Sequence, residues 1–187
     1  MELLLASKSP RRRELLSQLG WPVRFVDINV DETLDTPVAA PYVAETLARR
    51  KAEGYTSMLA SYQVLVTADT VVVHNDMVLG KPHDHDQATF MLQNLSGATH
   101  QVYTGVCLKS CNRQICFTEC TDVVFKQLSL SEINYYIDNY KPYDKAGAYG
   151  IQEWIGMIGI ERIEGCYYNV MGLPVARLYK ELQQLVD

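Results

Sequence analysis

Residues 3–20 read LLLASKSPRRRELLSQLG, and the stretch passes from a strand through a loop into a helix. Leu3 to Ala6 form the short apolar run of a buried strand, and Glu14 to Leu19 read as the body of a helix. Ser9 is a good N-cap and Pro10 suits the first helical position, which puts Arg11, Arg12 and Arg13 in the first turn. That is the unfavourable end for cations, where the helix macrodipole places about half a positive charge and disfavours each one by roughly 0.3–1 kcal/mol. Backbone N–H groups, the Ser7 and Ser9 hydroxyls and guanidinium groups able to pair bidentately with phosphate would together make an anion site. The alternative is that all three arginines extend into water, where exposure shrinks the cost. Arg13 shares a helix stripe with Leu16 and Gly20 and is the weakest of the three as a ligand.

Outward from this stretch, Gly20 suits the residue after a helix, and residues 21–32 (WPVRFVDINVDE) read as a strand running into an acidic loop. A helix is predicted over about 41–55, with Ala44, Leu47, Ala48, Lys51 and Ala52 on one stripe. Residues 62–73 (YQVLVTADTVVV) are a buried strand interrupted by a carboxylate, followed by a turn and a return through MVL. Asp86 is the expected cap of a helix facing inward through Ala88, Met91, Leu92 and Leu95 and ended by Gly97. Two longer strands are expected at about 101–108 and 115–128, and Ser129 with Glu132 has the spacing of a capping box. KPYDKAGAYGIQ (141–152) reads as a Gly-punctuated loop, the following IQEWIGMIGIERIEG as an apolar strand with a bend, and 171–186 as a closing helix with Pro174 near its start. Strands outnumber simple βαβ units, so the expected fold is α/β with a mixed sheet rather than a regular doubly wound one.

A chain of 187 residues, 48% hydrophobic and 21% charged, can bury a sizeable core as one domain or one domain with two lobes. Its net charge of −5 and pI near 5.4 oppose a nucleic-acid binder, so an anion site must be local and its ligand small. No apolar run reaches the ~20 residues of a membrane span, and the N-terminus lacks a signal-peptide pattern; the expected location is the cytoplasm. Cys107, Cys111, Cys116, Cys120 and Cys166 are odd in number without a C-x-x-C pair, which fits reduced thiols in packed strands better than a disulfide framework or a zinc site.

Asp69 stands between two β-branched apolar runs, where a carboxylate is costly to bury unless a cation or hydrogen-bond donors meet it. Magnesium suits such oxygen ligands, and Asp31 or Glu32 in the acidic loop could join it; the plain alternative is an Asp capping a turn. Lys51 on an apolar stripe, Lys81 before Pro82 and Lys145 in DKAGAYG are also oddly placed. Lysines usually snorkel to water from such positions, but together with the arginines they would surround a triphosphate. There is no G-x-x-x-x-G-K-[ST] loop, no G-x-G-x-x-G after a strand and no G-x-S-x-G elbow. His83 and His85 flank Asp84 in a polar loop that reads as solvated rather than metal-binding.

SKSPRR, ADT followed by GKP, LSGATHQVYTGV, DKAGAYGIQ and YYNVMGLP, in this order along nearly the whole chain, resemble the Maf family of nucleotide pyrophosphatases, also known as septum formation inhibitors. The resemblance implies an α/β fold similar to inosine triphosphate pyrophosphatases, an extended mixed sheet with flanking helices and a cleft between two lobes, spanning residues 1–187 as one domain. It implies hydrolysis of nucleoside triphosphates to monophosphate and pyrophosphate with a divalent cation, Mg2+ first and Mn2+ or Co2+ as alternatives. Ser9, Arg11 and Arg12 match the phosphate loop; Glu32, Lys51, Asp69 and Lys81 match the catalytic set, with Asp69 as proton acceptor and Glu32 and Asp69 as metal ligands. Arg12, Thr70 and Gln152 match positions associated with substrate choice, and Lys145 joins the substrate side. DKAGAYGIQ is similar to the branch that prefers dTTP and UTP. Glu153-Trp154 and Cys166 depart from the family pattern, where small residues and a Ser or Asp are more usual. A non-catalytic nucleotide sensor in septum formation is the alternative function. Similar proteins are commonly dimers, so a homodimer stands open as a partner, beside neither nucleic acid nor membrane. Removal of Arg11 or Arg12 is expected to weaken nucleotide handling while the unliganded fold stays as stable or gains.

Overall fold

The N-terminal apolar run is strand β1 (Glu2–Leu5), whose three leucines are fully buried, and it leads through the Ser9 cap into helix α1 (Pro10–Ser17). The computed structural model describes residues 1–34 and 36–186. Strand β2 (Val23–Phe25) and helix α2 (Ala40–Glu53) follow, then strands β3 (Gln63–His74) and β4 (Met77–Leu79) and helix α3 (His85–Leu95). Strands β5 (Thr99–Lys109) and β6 (Gln114–Phe125) precede α4 (Leu130–Tyr140), α5 (Trp154–Gly159), β7 (Ile160–Glu164), α6 (Tyr167–Met171) and α7 (Val175–Val186). The strands form a seven-stranded sheet in the order β2-β1-β3-β5-β6-β7, with β4 paired to β3. Both β2 and β3 run parallel to β1, whereas β4 runs antiparallel to β3 and β7 to β6, so the sheet is mixed as expected.

The chain divides into two compact units, and the division falls inside β3 between Asp69 and Thr70. The first unit holds Met1–Asp69, Thr104–Glu119 and the chain from Gly172 onward. Leu4, Ala6, Leu65 and Cys107 pack there against Ala52 of α2, and the buried Thr67 hydroxyl donates to the Ala48 carbonyl at 2.6 Å. A Cβ on Gly105 would stand 2.3 Å from the Ala44 carbonyl carbon, so β5 and α2 touch backbone to backbone where only glycine fits. This close seating, with the alanines of the stripe, brings Lys51 down onto the sheet.

The second unit holds Thr70–Tyr103 and Cys120–Met171. Leu92 and Leu95 of α3, Ile133, Tyr136 and Ile137 of α4, and Val123 and Phe125 of β6 form its core with Tyr149. The capping box at α4 is present: the Ser129 hydroxyl accepts from the Glu132 amide, and the Glu132 carboxylate accepts from the Ser129 amide. Hydrogen bonds from Lys126 and Ser129 draw the Glu132 carboxyl down to about 2.

Four expectations are corrected. The cap of α3 is Asp84, whose carboxylate accepts from the Gln87 amide at 2.8 Å, and Asp86 lies in the first turn against the helix dipole. The run after Gln152 is not one strand: a turn closed by Glu153 N–H to the Gly150 carbonyl at 3.0 Å opens α5, which buries Ile155 and Gly159 one turn apart before β7 begins. Strand β6 ends at Phe125, where a register shift interrupts its pairing with β7. Cys107 and Cys116 are not separate thiols but a disulfide across β5 and β6, because the register sets their Cα atoms 4.2 Å apart; Cys111, Cys120 and Cys166 lie outside that disulfide. Among the described residues no group of three or more His, Cys, Asp or Glu could hold a metal, and no helix is long and apolar enough to cross a membrane.

Candidate active site

In the first unit the polar interruption of β3 meets the lysine of the α2 stripe. Lys51 Nζ lies 2.5 Å from Asp69 Oδ1 and 3.1 Å from Glu32 Oε1. The lysine and aspartate side chains are each only 15% exposed, so the pair is strongly shielded while Glu32 reaches it from an open loop at 56% exposure. That loop is tied down from α2. The Arg50 guanidinium donates to the carbonyl oxygens of Asp31, at 3.1 Å, and of Thr33, and the Asp31 carboxylate accepts from the Thr33 amide at 2.8 Å. Neighbouring residues of one helix thus hold both carboxylates, Arg50 through backbone and Lys51 through charge.

The opening loop supplies the next layer. Ser9 caps α1, its hydroxyl accepting from the Arg12 amide at 3.4 Å, and its own amide donates to the Ser7 hydroxyl at 3.2 Å. Arg12 turns inward: Nε donates to the Gly172 carbonyl at 2.7 Å and Nη1 to the Ala68 carbonyl at 3.0 Å. Burial lowers the pKa of this guanidinium, opposed by the Asp69 and Glu32 carboxylates and reinforced by Arg11. Arg12 therefore braces β3 at the residue before Asp69, which sequence spacing did not show. Arg11 is partly buried in the first turn. Arg13 is directed elsewhere, with Nε on the Ser7 carbonyl at 3.0 Å and its guanidinium 4.8 Å above the Phe25 ring.

Glu32 and Asp69 converge on the single positive charge of Lys51, which makes them two hard oxygen donors around one cation position. Mg2+ is typically bound through one or two carboxylates, with water and substrate phosphate completing its shell, so this donor set fits that ion.

In the second unit, Thr70 follows Asp69 on β3 and is partly buried, and Lys81 is exposed after β4. The adjacent Gly80 carbonyl accepts from the Gly147 amide at 3.0 Å, so the DKAGAYGIQ loop is bonded to the segment that bears Lys81. Gly147 has φ +68°, and a Cβ there would meet Val72 at 2.9 Å, which explains the glycine on both counts. Lys145 is buried, with Nζ 2.7 Å from Asp144 Oδ1 and 3.1 Å from Glu153 Oε1. The Tyr136 hydroxyl donates to Glu153 Oε2 and accepts from the Gly150 amide at 3.0 Å. Gln152 Oε1 is buried without a hydrogen-bond partner among the described residues.

Sequence reading missed Arg50, Tyr136 and Glu153. Arg50 and Tyr136 look like ordinary helix residues, and only the departure at Glu153 carried a signal. A family model described as Maf-like protein matches residues 2–185. A dTTP/UTP pyrophosphatase of Bacteroides thetaiotaomicron is 49% identical over 186 residues, which cover 98% of this chain and 96% of that one. Relatives of the same name from Phocaeicola vulgatus (49% over 185 residues, 98% and 96% covered) and Christiangramia forsetii (43% over 186 residues, 100% and 95% covered) are similar.

Proposed function

Since the chain belongs to the Maf family over residues 2–185, we propose that it is a metal-dependent pyrophosphatase that converts dTTP and UTP to the monophosphate and pyrophosphate. The observation that carries this reading is the Glu32–Lys51–Asp69 cluster beside the arginine-rich turn. Lys51 holds Asp69 Oδ1, and Oδ2 is the oxygen we assign to the proton. Asp69 takes a proton from water as the water oxygen bonds to the α-phosphorus, the bond to the α,β-bridging oxygen breaks and pyrophosphate departs. Lys51, Arg11 and Lys81 supply positive charge to the triphosphate, Ser9 and the α1 N-terminus add hydrogen-bond donors, and Lys145 serves the substrate side through its loop. Glu32 and Asp69 would hold the divalent cation, which supplies charge neutralisation and polarisation of the phosphoryl oxygens when bound.

For the base, Thr70 and Gln152 are the assigned readers. A glutamine amide can donate to O4 and accept from N3–H, the edge shared by uracil and thymine, whereas cytosine reverses both positions. The buried, unpartnered Gln152 Oε1 supports this assignment, because such an acceptor calls for a donor. Pyrophosphate release over a nucleotide panel with Mg2+ tests it. dTTP and UTP are expected to exceed dCTP, dATP and dGTP in kcat/KM; a purine preference overturns the base assignment, and nucleotide binding without release supports a sensor instead.

A further inference from the structure

Lys51 Nζ stands between two carboxylates, 2.5 Å from Asp69 Oδ1 and 3.1 Å from Glu32 Oε1. The backbone beneath the lysine is fixed. Ala52, the next residue of α2, is buried against Leu4, Leu65 and Cys107, and Gly105 lets α2 lie directly on β5 at Ala44. The ammonium is carried at the end of a flexible four-carbon stem, so it can leave the carboxylates while α2 stays in its seat.

Oδ2 of Asp69 is the oxygen assigned to the proton, which leaves Oδ1 for the divalent cation. Oδ1 is the atom that accepts from Lys51. Carboxylate oxygens bind Mg2+ at roughly 2.0–2.1 Å in near-octahedral geometry, and an ammonium held on the same oxygens is repelled by that charge. Lys51 and the ion therefore compete for one position. Two carboxylates outnumber one ammonium, so the cluster still attracts a dication.

We propose that Lys51 is an exchangeable counter-ion at the metal position: it pairs Glu32 and Asp69 until the divalent cation takes both carboxylates, and its released ammonium then serves the triphosphate. The inference rests on the reading of Glu32 and Asp69 as metal ligands. It reconciles two roles, partner of Asp69 and source of charge for the phosphates, that one ammonium cannot fill at the same moment. A lysine that merely stiffens the site would stay on its carboxylates when the ion binds.

The test uses the full-length protein without nucleotide. In the wild type, the rate at which an amine-acylating reagent labels Lys51 is followed by mass spectrometry with and without saturating Mg2+. Lys109 is the internal control, because its Nζ donates to the Ala52 carbonyl at 3.2 Å beside Lys51 and it would respond to any loosening of α2. Mg2+ is expected to speed labelling of Lys51 and leave Lys109 unchanged. Labelling of Lys51 that is unchanged or slowed, or that rises only together with Lys109, overturns the inference. Mn2+, an EPR-visible ion of similar ligand preference, measures affinity in the wild type, Lys51→Met, Glu32→Gln and the double variant. A lysine that occupies the pair nine-tenths of the time lowers apparent affinity about tenfold, so Lys51→Met is expected to bind Mn2+ at least about tenfold more tightly than the wild type. Equal or weaker binding by Lys51→Met overturns the exchange, and the metal assignment stands if Glu32→Gln still weakens Mn2+ binding. Affinity unchanged by Glu32→Gln in both backgrounds overturns the metal assignment and the inference with it. If Lys51→Met does not fold, the labelling of the wild type decides alone.

Discussion

Arg12 Nη1 donates to the carbonyl oxygen of Ala68 at 3.0 Å, so the guanidinium is bonded to the residue that immediately precedes Asp69. Its Nε holds the Gly172 carbonyl at the same time, and Gly172 begins the segment that leads into α7. One side chain from the first turn of α1 thus secures two other segments of its unit. A cation at the positive end of a helix is tolerated because it does not stay at that end.

Arg12→Ala is therefore expected to lower the melting temperature of the unliganded protein, opposite to what the helix dipole alone suggests. Two carbonyl groups lose a charged donor, at about 1–3 kcal/mol each, and each kcal/mol is worth about 2–4 °C in a chain of this size. Arg11→Ala should leave the melting temperature near the wild-type value and weaken nucleotide KM. Calorimetry without ligand, beside kinetics with dTTP, separates the two; equal melting temperatures for both variants would refute the bracing role.

Asp69→Asn keeps the size of the side chain and removes its charge. Turnover is expected to drop at least ~100-fold, the low end for losing a group that moves a proton. The Lys51 contact survives in part as a neutral hydrogen bond to the amide oxygen, so the fold should persist. Circular dichroism with pyrophosphate release checks this, and near-normal release from a folded variant would make Asp69 a structural residue.

Much of the first unit was legible because its site breaks a pattern. Asp69 interrupts a β-branched run and Lys51 interrupts an apolar stripe, so each stood out by itself, but the ion pair between them did not. Arg12 stood out in the sequence by its place in the first turn but not as a brace, since the carbonyls of Ala68 and Gly172 carry no sequence signature and are placed by tertiary structure alone. The disulfide depended on β5–β6 register, which the turn at residues 110–113 sets and cysteine spacing does not. The strand expected after Gln152 failed because a short apolar run has no period long enough to separate strand from helix; the turn at Gly150 decided it.

His100 is fully buried in the second unit, with Nε2 2.7 Å from the Tyr149 hydroxyl and the ring edge-on to Tyr149. Burial, helped by His74, lowers its pKa from 6.5 to about 3. The unfolded chain then binds a proton that the folded chain refuses, so stability is full above about pH 6.5 and falls as pH drops toward 3, by at most about 1.4 kcal/mol per pH unit. Glu132 adds its own loss only lower, between its ordinary 4.5 and about 2. Wild-type melting temperature is expected to fall by roughly 4–8 °C between about pH 6.5 and 5, and His100→Leu should flatten that slope. Parallel slopes in both proteins would place the pH sensitivity elsewhere.

Arg50 touches neither carboxylate of the proposed metal pair, yet it holds the backbone on both sides of Glu32 through the Asp31 and Thr33 carbonyls. Those contacts are exposed, so Arg50→Ala should cost little stability while it frees the loop that presents Glu32. Groups that orient a metal ligand commonly change affinity 10–100-fold when removed, and the Mg2+ concentration for half-maximal dTTP hydrolysis is accordingly expected to rise about tenfold. At saturating Mg2+ turnover should recover most of its wild-type value, because Asp69 and Lys51 are untouched. Arg49→Ala is the control: its side chain faces Glu45 at 3.0 Å on the same helix and does not reach the loop. Mg2+ titrations of initial rate for the three proteins decide the matter. A shift shared by Arg49→Ala would trace the effect to general surface charge, and no shift in Arg50→Ala would show that Glu32 keeps its place without this anchor or does not hold the metal.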